Sequence, residues 1–98
     1  MAVPGFLIFE LDVVNGALGG PITIPTNNGI RAHTFITAVT AFGGSASSGE
    51  AAITSFVQSG TTHTGTQHLI SGNNISEITW RVSATNGSVK GLILVEIF

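Results

Sequence analysis

Ile78, Trp80, Val82 and Ala84 alternate with Glu77, Thr79, Arg81 and Ser83. Beyond Asn86-Gly87 the alternation resumes, with Val89, Gly91, Ile93 and Val95 set against Lys90, Leu92, Leu94 and Glu96. A period of two puts each set on its own face of an extended strand, and a helix has no such period. Read as a hairpin closed by a two-residue Asn86-Gly87 turn, the segment pairs Ala84 with Val89, Val82 with Gly91, Trp80 with Ile93 and Ile78 with Val95. That face is apolar or glycine throughout, so Trp80 is assigned to the core. The opposite face pairs Ser83 with Lys90, Arg81 with Leu92, Thr79 with Leu94 and Glu77 with Glu96.

The rest of the chain has the same character. Thirty-one of the 98 residues are Ile, Val or Thr, whose branched Cβ favours strands. No window carries a sustained 3.6-residue apolar period with helix caps. Strands are predicted at Gly5–Val14, Pro21–Pro25, Ile30–Phe42, Ala51–Ser59, Thr66–Ser71, Ile75–Ala84 and Ser88–Phe98, separated by Gly, Asn and Ser clusters. Gly43–Gly49 is small-residue throughout and is read as a mobile loop. A chain of this length is one domain, burying roughly two-thirds of its unfolded surface. Residues 1–98 are therefore predicted to form a single antiparallel β-sandwich or jelly roll of seven to eight strands, with the first and last strands adjacent.

In the first strand, Leu7, Phe9, Leu11 and Val13 share one face and Phe6, Ile8, Glu10 and Asp12 the other. Unpaired carboxylates avoid a core, so the second face looks outward. Pairing this strand antiparallel with the last, Glu10 against Lys90, also matches Ile8 with Leu92 and Phe6 with Leu94 outside, and Leu7 with Ile93 and Phe9 with Gly91 inside. Phe6, Ile8, Leu92, Leu94 and Phe98 then form an apolar cluster away from the core. Such patches usually mark an interface. The alternative is a second sheet covering them.

Charge narrows the function further. Glu10, Asp12, Glu50, Glu77 and Glu96 stand against Arg31, Arg81 and Lys90, giving a net charge of −2. A typical chain of this length carries about 24 charged residues. Without a basic face no nucleic-acid partner is expected. The apolar runs are too short to span a bilayer as helices, and the N-terminus has no basic region, so neither a membrane partner nor a signal peptide is expected. There is no cysteine for a disulfide or a thiolate metal site. A surface of Thr, Ser, Asn, Gln and Gly lacks the charges that keep crowded monomers apart, and suits a fixed, repeated set of contacts.

Chemistry-bearing patterns are few. There is no G-x-S-x-G elbow, P-loop or G-x-G-x-x-G, and the glycines fall at turns. A Ser-His-Asp set would have to use Asp12, the one aspartate, from within a strand. Glu10 and Asp12 are neighbours on one strand face, which suits solubility better than a two-carboxylate site. His63 and His68 could face one another across a four-residue hairpin loop and, with His33 or symmetry copies, hold Zn²⁺ or Ni²⁺. The plainer reading makes them polar loop residues, with His33 on the Arg31–His33–Phe35 surface face. Asn74-Ile75-Ser76 and Asn86-Gly87-Ser88 are sequons that serve equally well as turns. No enzyme activity and no cofactor are expected.

With its Met1-Ala2-Val3-Pro4 start, its Thr/Ser/Asn/Gly-rich strands, its lack of Cys and its Gly91–Phe98 apolar end, the chain resembles small accessory proteins of tailed-bacteriophage virions. These are capsid decoration (cement) proteins and fibre head domains. The resemblance is one of style across the whole chain, with no motif. It implies a non-enzymatic homo-oligomer, a trimer favoured, assembled in a host cytoplasm and held on a virion among other structural proteins. A carbohydrate- or receptor-binding module is the alternative, and an enzyme the third reading.

Overall fold

The computed structural model describes residues 5–25, 29–40 and 48–98. Eight strands run in chain order: β1 (Gly5–Val14), β2 (Ile22–Pro25), β3 (Ile30–Thr40), β4 (Gly49–Gln58), β5 (Thr61–Gln67), β6 (Leu69–Gly72), β7 (Ile75–Ala84) and β8 (Ser88–Ile97). They form two four-stranded antiparallel sheets, ordered β1-β8-β3-β6 and β2-β7-β4-β5, in a sandwich-like all-β arrangement. Residues Gly43–Ser47 of the loop read from sequence lie outside the described residues.

The alternation sorts the two faces as expected. Ile78, Trp80, Val82, Ala84, Val89, Ile93 and Val95 are buried, joined by Val13, Ile24, Ile30, Ala32, Ala51, Ile53, Ile70 and Ile75. Phe9, Leu11, Ile22, Ile36, Phe56 and Ile97 pack against this core from its margin. Leu7, expected inside, shares that face of β1 but is 37% exposed, whereas Val13 at the other end of the same edge strand is 2% exposed.

The partner of β7 is where the expectation fails. β7 and β8 are not a hairpin: β7 lies between β2 and β4, and β8 between β1 and β3. Of the two residues at the turn only Gly87 has positive φ, at 94°, whereas a type I′ hairpin needs it at both. The chain instead crosses from one sheet to the other. Val82 and Gly91 do meet, but across the sandwich: a Cβ on Gly91 would overlap the Val82 Cγ2 methyl. Period two identifies a residue's face and leaves open whether its strand's neighbour lies beside it or opposite.

Two further expectations need correction. β1 and β8 pair antiparallel, but with Asp12 opposite Lys90, Glu10 opposite Leu92 and Ile8 opposite Leu94. The register lies two residues from the one drawn from charge, and an even slip keeps every face. The segment from His63 to His68 is not a hairpin loop. Thr61–Gln67 is a strand, and the hairpin turn is Ser59-Gly60, with φ of 50° and 79° between Gln58 and its partner Thr61.

Candidate functional site

Three adjacent lateral rows on the outer face of the β1-β8-β3-β6 sheet hold an apolar cluster. The middle row runs Ile8, Leu94, His33, Leu69 through all four strands. On one side lies Glu10, Leu92, Phe35, and on the other Phe6, Glu96, Arg31, Ser71. Directly opposed residues on one face of a sheet have Cβ atoms about 4.5–5.5 Å apart, within reach of their neighbours' side chains. The other sheet packs on the inner side. Phe6, Ile8 and Phe98 remain 67%, 61% and 61% exposed, Leu69 51% and Phe35 39%, with Leu92 and Leu94 half-buried between them.

Two ion pairs frame the apolar band. Arg31 Nε lies 3.1 Å from Glu96 Oε1, and its guanidinium stands 5.9 Å from the centre of the Phe98 ring. Lys90 Nζ lies 3.1 Å from Glu10 Oε2, reaching diagonally across the β1–β8 pair. This hydrogen bond, with the charges of Glu10 and then Asp12, holds the Lys90 ammonium above its ordinary pKa. Both pairs are partly solvated and add little stability, but each gives a partner to a charge whose desolvation would otherwise oppose an approaching apolar surface. An apolar centre with a polar margin is the usual anatomy of a protein interface.

The five residues proposed from sequence for association thus lie on one face. Phe35 and Leu69 belong with them and were missed. The alternation of Arg31, His33 and Phe35 against Ala32 and Thr34 already placed Phe35 outward, but nothing local announced that β3 lies beside β8 or β6 beside β3.

Each histidine has its own surroundings. His33 tilts against Phe35 with ring centres 4.2 Å apart, and His63 stacks on Phe56 at 5.0 Å. His68 Nδ1 lies 3.0 Å from the Ala51 carbonyl, which also accepts from Thr34 Oγ1 at 2.9 Å. That shared carbonyl links the sheets through Thr34, a buried polar residue. No three His, Cys, Asp or Glu groups cluster as metal ligands among the described residues. Asp12 sits on the outer face opposite Lys90, away from every histidine's neighbours. Trp80, 0% exposed, offers no ring to a sugar. Comparison with protein-family models, curated proteins and solved structures found no match.

Proposed function

We propose that this protein is a non-enzymatic assembly component that self-associates through the outer face of the β1-β8-β3-β6 sheet. The observation that carries this reading is the apolar cluster of Phe6, Ile8, Leu92, Leu94 and Phe35 on three adjacent strands, extended by Leu69 on the far side of His33 and framed by two satisfied ion pairs. Burying what remains exposed of one such side chain is worth about 1–2 kcal/mol. Association costs about 4–15 kcal/mol in lost freedom and ordering, so the whole face is needed and no one ring suffices.

The strand order β1-β8-β3-β6 over β2-β7-β4-β5 supports reading the sandwich as a jelly roll, an architecture shared by viral capsid and lectin domains. With the charge-poor surface, it favours a place in a larger repetitive assembly: a bacteriophage virion, as capsid decoration or as a tail or fibre component. Three copies is the stoichiometry that the resemblance to virion accessory proteins implies.

Light scattering on size-fractionated protein tests the association. Wild type is expected at a multiple of the 10.0 kDa chain mass. Ile8→Glu, at an exposed position, should run at the mass of one chain with an unchanged circular dichroism spectrum. A wild-type protein that stays at one chain mass into the high micromolar range would overturn the reading.

A further inference from the structure

The opposite outer surface, that of the β2-β7-β4-β5 sheet, carries a groove of about 460 Å³. One wall is the segment joining β1 to β2. Leu18 bridges to Ser83 of β7, and the Gly19 N–H donates to the Val82 carbonyl at 2.8 Å. Gly19 is pressed inward, where a Cβ would strike the Leu11 and Val13 side chains, whereas nothing lies within 4 Å of a Cβ on Gly20. The floor owes its shape to a break in the β4 ladder: the register shifts between Ile53 and Ser55 on both sides of the strand, taking Thr54 out of the pairing. Thr54 Oγ1 donates to the Thr79 carbonyl at 3.2 Å, which spends its proton and leaves its lone pairs as acceptors.

Arg81 lies along the same groove, exposed. Arg31 is paired with Glu96 and Lys90 with Glu10, whereas Arg81 has no acidic partner among the described residues. A guanidinium presents a planar fork of donors matched to a carboxylate. A single cation suits a monoanionic group such as a carboxylate better than a dianionic phosphate monoester. The hydroxyl acceptor at Thr54 asks for a ligand that brings O–H donors as well. Leu18 and Pro21 supply an apolar lip for a C–H face.

We propose that this groove binds a carboxylate-bearing saccharide, with Arg81 taking the carboxylate, Thr54 and Thr79 taking ring hydroxyls, and Leu18 and Pro21 covering an apolar edge of the sugar. The volume lies within the usual range of about 300–1,000 Å³ for small-ligand sites. The site does not rest on the association reading, because it occupies the other sheet and stays open when the β1-β8-β3-β6 face is covered.

An ¹⁵N-edited NMR titration tests it with four probes: the methyl glycosides of glucuronic acid and N-acetylneuraminic acid, methyl glucoside, and a short neutral peptide with a free C-terminal carboxylate. At least one acidic glycoside should shift the amides of Gly19, Gly20, Thr54, Thr79 and Arg81 saturably, while methyl glucoside and the peptide do not. Arg81→Gln should weaken binding at least about tenfold, the loss typical of a charge-assisted hydrogen bond. Gly20→Phe should block the groove while leaving the spectrum of the core intact. The proposal is overturned if methyl glucoside or the peptide binds as well as the acidic sugars, if Arg81→Gln keeps full affinity, or if neither acid shifts these amides at about 10 mM ligand.

Discussion

Gly91 shows most directly how the sheets fit together. Its missing side chain accommodates the Val82 methyl from the facing sheet. Gly91→Ala is therefore expected to destabilise the fold by about 1–3 kcal/mol through overpacking, and adding Val82→Ala should recover part of that loss. Were β7 and β8 a hairpin, alanine would be a better strand residue than glycine and the single change would be neutral or favourable. Urea midpoints of the two single variants and the double variant separate these outcomes. Trp80 shows the same dominance of packing. Its Nε1 has no acceptor among the described residues, which costs about 1–3 kcal/mol. Burying an indole of about 200 Å² returns roughly 5 kcal/mol, so the ring stays inside.

At the scale of elements, β4 and β5, joined by the Ser59-Gly60 hairpin, are the one consecutive pair among the described strands that are neighbours in a single sheet; the other consecutive pairs lie in different sheets. Ser59 carries the φ of +50° that a type I′ turn demands, in a region where serine is strained and asparagine is at home. Ser59→Asn should stabilise the protein by up to about 1 kcal/mol, raising the thermal midpoint by a few degrees; a lower midpoint would argue against this turn. Asn86-Gly87, the more conspicuous dipeptide, is used differently. The Gly87 carbonyl accepts the Asn15 N–H at 2.6 Å and the Gly16 N–H at 3.4 Å, tying the crossover to the turn that ends β1.

For the molecule as a whole, scarcity of charge matters more than any single ion pair. With five acids and three strong bases, stability has few groups through which to respond to pH. The Lys90 ammonium, held above its ordinary value by Glu10, is one of them. A raised folded-state pKa means that its contribution is present in full below the unfolded value of about 10.4 and is lost as pH rises through the folded one. Thermal midpoints measured from pH 9 to 12 should therefore fall more for wild type than for Lys90→Gln, and equal slopes would show the pair to be idle. The pair is exposed, so added salt should shrink the difference. The same scarcity leaves the apolar band on the β1-β8-β3-β6 sheet with little charge around it to discourage a second copy.

Residues 1–98 alone determined the strand class, the extents of Gly5–Val14 and Ile75–Ala84, and which side chains of β1, β7 and β8 face inward. These follow from a two-residue period, a property of the covalent chain that is legible over a few neighbouring positions. The outward placement of Phe6, Ile8, Leu92, Leu94 and Phe98 was readable for the same reason. Tertiary structure decided the partners: β7 beside β2 and β4, β3 beside β8, the two-residue offset of β1, and hence the inclusion of Phe35 and Leu69 in the outer band. It also made the Arg81 groove, whose walls come from three separate stretches of chain. Pairing joins positions far apart in sequence and is settled by which registers bury the most side-chain surface together, so no local run of residues encodes it.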